Sequence, residues 1–384
     1  MMQFEFGTAS RIVFGRGAIK QLPELARTCG RHALVVTGRS TQRAAPALEA
    51  LHQSGISSKL FAVEGEPTLD TVRQGAKAAR DGCDLLIGFG GGSAMDAAKA
   101  IAALATNSGE PLDYLEVIGK GEALVHPPLP CLAVPTTAGT GAEVTRNAVI
   151  GSPEHRVKAS LRGPFLLPKV AVVDPELTFN TPLQVTAASG LDALTQLTEA
   201  FVSCRAQVFT DMFCRTGMSH VRTALRTAFK DGKNLAARES MSFASLLSGL
   251  ALANAGLGVV HGFAAPLGGM LNAPHGALCA AVLPSAVEVN IRALRQRAPE
   301  HAALGRYREI AHLLTANERA EPEDLIPWLL SITRDLCIQP LKNLGLGPSQ
   351  IPELVKKAAT ANSTKANPLP LTMDELTEIA ERAL

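Results

Sequence analysis

No two cysteines stand in a C-x-x-C spacing, and the seven cysteines are scattered and odd in number. That excludes a disulfide framework and leaves a cysteine-rich zinc site without support. Aromatics make up only 4% of the chain, with one Trp and two Tyr, which disfavours an all-β sandwich and a stacking platform for single-stranded nucleic acid. A charge bias is missing too. Lys+Arg 37 against Asp+Glu 35 leaves +2, too balanced for gripping a polyanion, so no nucleic-acid partner is expected. The opening MMQFEFGTAS has no basic stretch leading into an apolar run. Apolar stretches such as 247–260 are cut by Ser, Asn and Gly short of a membrane span. No membrane association is therefore expected, and the expected location is cytoplasmic. Gly 33 and Pro 24 are close to ordinary usage, which removes collagen-like and flexible-linker readings. What remains is a chain of 384 residues, 46% apolar, without low-complexity blocks and long enough for two domains or one large one.

The first half alternates short β-branched runs with helical patterns. Strands are expected at 32–38, 57–63 and 83–90, with helices at 41–55, 68–82 and 93–105 between and after them. This alternation predicts parallel βαβ units with right-handed crossovers. Further strands are expected at 129–136 and 168–174, flanking a hairpin over 145–161 that turns at Gly151-Ser152-Pro153. From 183 onward only helical periodicity with Gly and Pro breaks is legible. The expected architecture is an α/β nucleotide-binding domain over 1–180 followed by an all-helical metal and substrate domain over 181–384.

Chemistry is concentrated in three places. GFGGGSAMDAAK (88–99) sits where a strand ends and a helix begins. Unpaired N–H groups and the helix dipole there suit a pyrophosphate, provided no side chain blocks it, as successive glycines allow. Ser93 would add a hydrogen bond or cap the helix, and a plain βα turn is the competing reading. PTTAGTGAEVT (135–145) repeats the pattern of small hydroxyl residues and glycines after a strand, and reads equally as an ordinary polar loop. The strand at 32–37 runs into Gly38-Arg39-Ser40. A carboxylate there would bind the ribose 2′-hydroxyl of NAD, whereas an Arg accommodates the 2′-phosphate of NADP. The choice tilts slightly to NADP(H), although Arg39 reads equally as a solvated loop residue.

The third place is a metal constellation. Asp192 and Gln196 stand at i and i+4 of a helix and share one face. His261 and His275 are 14 residues apart, which on one unbroken helix is about 21 Å. Breaks at Pro266, Gly268-Gly269 and Pro274 would fold His275 back. Asp plus two His with an oxygen from Gln196 or water suits Zn²⁺ or Fe²⁺. Each His taken alone reads as a hydrogen-bonded helix residue.

Taken in order, GFGGGSAMDAAK, PTTAGTGAEVTRNAVI, PKVAVVDPELT, GLDALTQLTEA and GVVHGFAAPLGGMLNAPHG resemble the iron-containing (group III) alcohol dehydrogenase family, and the resemblance spans essentially the whole chain. It implies a dehydroquinate synthase-like architecture with a cleft between the domains, usually assembled as homodimers or larger. It further implies NAD(P)-linked hydride transfer between nicotinamide C4 and a small alcohol or aldehyde, assisted by a divalent metal, Fe²⁺ or Zn²⁺. By this resemblance Gly91, Gly92, Ser93 and Asp96 hold the pyrophosphate end. Thr136, Thr137 and Thr140 lie along the cofactor, and Asn147, Lys158 and Leu177 lie near the ribose and nicotinamide. Asp192, His261 and His275 match three of the family's four metal ligands.

Two positions depart from the pattern. Gln196 stands where the fourth ligand is usually His, which weakens the affinity for Fe²⁺. Ala265 stands where the family commonly has a second His beside the substrate. Both point faintly to a maleylacetate reductase-like, metal-independent reductase, whereas the retained Asp and two His argue against it. A dehydroquinate synthase-type lyase is disfavoured by the apolar surroundings of His261. A cofactor-binding protein that has lost catalysis is the remaining alternative.

Overall fold

The computed structural model describes residues 4–271 and 273–384. The first three residues of the N-terminal stretch and Asn272 of the second metal motif lie outside the described residues. The chain forms two compact units: Gly7–Thr137 with Gly141–Phe179, and Asn180–Leu384 with Ala138–Thr140 and the chain start up to Phe6.

The α/β unit is built on strands β1 (Arg11–Phe14), β2 (His32–Gly38), β3 (Ser57–Val63), β4 (Leu85–Gly90), β5 (Cys131–Pro135) and β8 (Val170–Val173), with β6 (Asn147–Ser152) and β7 (Val157–Arg162) forming a separate hairpin. Its helices are α1 (Leu22–Arg27), α2 (Ala45–Gln53), α3 (Leu69–Arg80), α4 (Gly92–Thr106) and the single turn α5 (Pro111–Tyr114). The six-stranded sheet has the order β1-β8-β5-β4-β2-β3, and every pairing in it is parallel. After β2 the chain moves to β3 on one side, then crosses back to β4 on the other. The strand order therefore reverses between β2 and β4, where open α/β sheets offer a crevice beyond their strand ends.

The strands expected from apolar runs are present. β1 was not expected: four residues at a sheet edge carry too short a pattern to read, and only pairing with β8 defines them. The hairpin turn also differs. β6 continues through Ser152, and the reversal falls at 153–156, where Arg156 adopts φ 49. Antiparallel pairing of Ser152 with Val157 holds Gly151 and Ser152 in the strand. Thr68 caps α3 by accepting a bond from the Thr71 N–H, consistent with its place before an amphipathic run.

Helix α4 lies against β4 at very close range. A Cβ at Gly90 would sit 2.7 Å from the Ala94 Cβ, and one at Gly88 would sit 3.0 Å from the Ala98 Cβ. Packing alone therefore demands those two glycines. Buried Lys99 projects from α4 and donates to the Ala142 carbonyl (3.1 Å), Thr145 Oγ1 (3.1 Å) and the Asn147 carbonyl, while pairing with Asp96 Oδ1 at 2.9 Å. Asp96 Oδ2 accepts the Val149 N–H at 3.1 Å. This network pins the 142–149 segment onto α4.

Glu143 in that segment is fully buried, and burial pushes its carboxyl from 4.5 up to about 7, against the partial opposing pull of its own backbone and of Lys99. A carboxyl with a raised folded-state value binds more protons folded than unfolded between those limits. Its contribution is intact below about pH 4.5 and is lost as pH rises through 7, by about 3 kcal/mol at most. The urea midpoint of the protein is thus expected to fall between pH 5 and 8, and Glu143→Gln should flatten that dependence.

The helical unit holds α6 (Leu183–Val202), α7 (Val208–Lys230), α8 (Leu235–Ala255), α9 (Val259–Met270), α10 (His275–Arg297), α11 (Ala302–Thr315), α12 (Leu325–Asp335), α13 (Ile351–Thr360) and α14 (Met373–Arg382). From Gly190 to Val202 every residue of α6 is buried, the polar Asp192, Gln196 and Glu199 included. Chain direction turns by 100° between α8 and α9, around Gly256, whose φ is +71. Pro266 lies inside α9, which continues to Met270, so neither it nor the following Gly268-Gly269 pair breaks the helix. Helix α10 starts at His275, with Pro274 as its N-cap. Among the described residues α10 alone is a single helix long and apolar enough to cross a membrane, and 78% of its most apolar stretch is buried inside the protein.

Candidate functional site

Three helices of the helical unit bring Asp192, His261 and His275 together. Asp192 projects from the middle of α6, His261 from the first turn of α9, and His275 is the first residue of α10. Close approach is possible because Gly276 carries no side chain: a Cβ there would sit 2.4 Å from the Ala188 carbonyl oxygen of α6. His261 Nε2 is 3.4 Å and His275 Nε2 is 3.8 Å from Asp192 Oδ1, and the two rings lie 5.4 Å apart.

Two further groups complete the cluster. Cys279 follows His275 by one turn of α10, and its Sγ lies 3.7 Å from His261 Nε2 and 3.6 Å from His275 Nε2. One ligand atom from each of Asp192, His261, His275 and Cys279 falls within 4.8 Å of all the others. Glu199, almost two turns beyond Asp192 on α6, accepts from His261 Nδ1 and from the Val260 N–H, each at 2.6 Å. That bond places the proton on Nδ1 and leaves the Nε2 lone pair facing Asp192, as an outer carboxylate does for a metal-binding imidazole. The glycine at 258 makes room, since a Cβ there would be 2.9 Å from Glu199 Oε1.

Asp192 is 1% exposed, and its buried Oδ1 accepts no hydrogen bond. A carboxylate oxygen so placed is costly unless a cation answers it. Burial pushes the Asp192 carboxyl up, but the imidazoles of His275 and His261 with the Cys279 thiol outweigh it and hold it below the usual range. Burial disfavours the charged form of His261 and His275, yet Cys279 and Asp192 outweigh burial at both, with Glu199 adding to the effect at His261. Both imidazoles are held above their ordinary value. A divalent cation entering the cluster would compete with protons for these same groups. Glu199→Gln is expected to lower metal affinity about 10- to 100-fold, read by competition with a chromophoric chelator.

Gln196 is buried one turn from Asp192, and its Oε1 accepts a bond from Ser248 Oγ at 2.9 Å. Ser248 also lies 3.2 Å from the Gly139 carbonyl. Thr140 belongs to the short 138–140 segment grouped with this unit. Ala265 stands one turn after His261 on α9 and offers no titratable group there.

In the α/β unit, Gly38 ends β2 and Arg39 and Ser40 follow it, while Gly91, Gly92 and Ser93 follow the adjacent β4. A Cβ at Gly90 would lie 3.6 Å from the Gly38 N, so the two strand ends are neighbours at the reversal point. Gly91 is the N-cap of α4 and no side chain caps the helix. Ser93 does not cap. Its Oγ donates to Glu66 Oε2 at 3.3 Å, and Glu66 Oε1 pairs with Lys158 Nζ at 3.0 Å. Glu66 thereby ties Lys158 to the glycine turn. The Asp96 carboxylate is committed to Lys99 and the Val149 N–H. Thr136 is buried and donates its N–H to the Gly90 carbonyl at 2.9 Å, and a Cβ at Gly91 would lie 3.3 Å from Thr137 Oγ1. Asn147 begins β6. Leu177 packs on the core beside the sheet and its carbonyl accepts from Arg43 at 2.8 Å.

Sequence reasoning missed Cys279, Glu199 and Glu66. The first two were accessible: Cys279 stands at i+4 from His275, and Glu199 at i+7 from Asp192, both on the faces already singled out. Glu66 lies in a loop before α3 with no pattern to mark it.

Residues 9–175 match the family model described as iron-containing alcohol dehydrogenase, and residues 186–384 match the C-terminal model of the Fe-containing alcohol dehydrogenase family. The chain is 34% identical over 384 residues to alcohol dehydrogenase 4 of Saccharomyces cerevisiae, covering 96% of each. Its structure superposes on that of a 1,3-propanediol oxidoreductase with a TM-score of 0.92 at 33% identity over 100% of both chains. A sulfoacetaldehyde reductase from Bifidobacterium kashiwanohense in complex with NAD⁺ gives a TM-score of 0.87 at 29% identity, covering 99% of this chain and 98% of that one.

Proposed function

The chain belongs to the iron-containing alcohol dehydrogenase family, and from that premise we propose that it transfers a hydride between nicotinamide C4 of a dinucleotide and the carbinol carbon of a small alcohol, or the carbonyl carbon of the aldehyde in reverse. The observation that carries the reading is the buried Asp192 oxygen that accepts no hydrogen bond and is faced by two imidazole nitrogens and a thiol. Those side chains would hold a divalent cation, which when bound supplies Lewis-acid polarisation of the substrate oxygen.

The chain's own contributions follow from the geometry. Glu199 fixes the His261 tautomer. The uncapped N-terminus of α4, with Gly91 and Gly92 in front of it, offers backbone N–H groups to a pyrophosphate, and Ser93 adds a hydroxyl. Asp96 acts through Lys99 by anchoring the segment that carries Asn147. Thr136, Thr137 and Thr140, with Lys158 and Leu177, complete the proposed cofactor contacts. With Ala265 in place of an imidazole, the substrate proton leaves through water or a cofactor hydroxyl. The apolar sequence flanking His261 on α9 favours an uncharged substrate. We include in the same proposal a cytoplasmic location and a homodimeric or larger assembly.

A panel of alcohols and aldehydes, assayed by nicotinamide absorbance on metal-analysed protein, tests the reading. Stoichiometric metal with net cofactor turnover is expected; turnover that survives complete metal removal would sink it. The exposed Arg39 and the absence of a carboxylate at 38–40 keep NADP(H) slightly ahead of NAD(H). Arg39→Ala is accordingly expected to raise KM for NADP(H) by about tenfold, the value of one charge-assisted contact, while KM for NAD(H) changes little.

A further inference from the structure

We propose that Cys279, not Gln196, is the fourth protein ligand of the cation held by Asp192, His261 and His275, giving an Asp-His-His-Cys site that selects Zn²⁺ over Fe²⁺. This rests on the reading that the cluster binds a cation and specifies its coordination. A tetrahedron with bonds of about 2.0 Å to nitrogen or oxygen and about 2.3 Å to sulfur has edges of about 3.3 Å, or about 3.5 Å where sulfur is one end. The structure gives 3.4 and 3.8 Å from Asp192 Oδ1 to the two imidazoles, and 3.7 and 3.6 Å from Cys279 Sγ to the same nitrogens. These four edges already approach the required polyhedron. The Gln196 oxygen is instead held by Ser248. Its neutral carboxamide is the weaker donor in any case, whereas a thiolate is soft and favours Zn²⁺.

Charge supports the same assignment. One carboxylate and one thiolate with two neutral imidazoles bring a divalent cation to zero net charge, which suits a site whose Asp192, His261 and Cys279 are all buried. On uptake the Zn–S bond replaces the S–H bond, and that proton passes to buffer. The His275 side chain is 30% exposed, while Asp192 is only 2%. The cluster therefore opens on the His275 side, where a fifth, exchangeable ligand can enter.

X-ray absorption on the zinc-loaded full-length protein needs no substitution and is expected to show one sulfur at about 2.3 Å. A shell of nitrogen and oxygen alone overturns the proposal. Cobalt-substituted wild type should show a sulfur-to-cobalt charge-transfer band that disappears in Cys279→Ser and persists in Gln196→Ala. Zinc affinity should drop by more than about tenfold in Cys279→Ser, and by less in Gln196→Ala. The reverse ranking, or a band surviving in Cys279→Ser, refutes the assignment. Failure of the wild type to take up zinc or cobalt refutes the cation reading beneath it, and the assignment falls with it.

Discussion

Replacing Asp192 with Asn is expected to strip the protein of bound divalent cation and to lower kcat/KM for alcohol oxidation by about 10³-fold or more. The substitution preserves size on a helix buried on nearly all sides, so α6 keeps its packing. What disappears is the only carboxylate in the four-residue cluster. Without it the two Nε2 atoms and the thiol have no carboxylate among them, and the affinity for a dication collapses. A loss of about 4 kcal/mol of transition-state stabilisation corresponds to a rate change of that size. Circular dichroism should match wild type, metal analysis should read near zero, and nucleotide affinity should hold, because the glycine turn belongs to the other unit. Wild-type turnover by the metal-free variant would show that the cluster has no part in the chemistry.

Lys99→Met should cost stability rather than chemistry, by about 3–5 kcal/mol in urea unfolding, the range for deleting one partner of a buried ion pair. Lys99 is 1% exposed and Asp96 has 14% of its side chain exposed, so solvent cannot replace the lost ammonium. Two backbone carbonyls and the Thr145 hydroxyl lose their donor as well. Pairing the change with Asp96→Leu should recover part of the loss, since the stranded charge goes with it. Nucleotide affinity should fall in the single variant, through the released 142–149 segment. A change below about 1 kcal/mol would mean that the network contributes no more than a surface pair.

How much of this was legible beforehand varied with the physics behind each feature. Buried parallel strands such as β2 and β4 read as continuous apolar runs, and their positions follow from the sequence to within two residues. Edge strand β1 did not, because its identity comes from pairing with β8 rather than from its own pattern. The three successive glycines at 90–92 were read as clearance for a phosphate. Gly90, like Gly88 before it, is instead demanded by the approach of α4. At the Asp192–His261–His275 cluster the spacing suggested a break without locating it: Pro266 stays helical, and α10 starts at His275 with Pro274 as its N-cap. Cys279 and Glu199 stand at helical spacings from His275 and Asp192, but their approach to His261 crosses a helix–helix contact that periodicity on a single helix does not encode.

Helix α10 carries a membrane-like apolar stretch, 78% of it buried, and this sets how the protein should fail on heating. Once the helical unit opens, that stretch of the helix enters water, and such segments in neighbouring molecules associate faster than they refold. Thermal inactivation should therefore be irreversible and dependent on protein concentration, with a midpoint that moves with heating rate. Shelf life will then be governed by an unfolding rate rather than by an equilibrium.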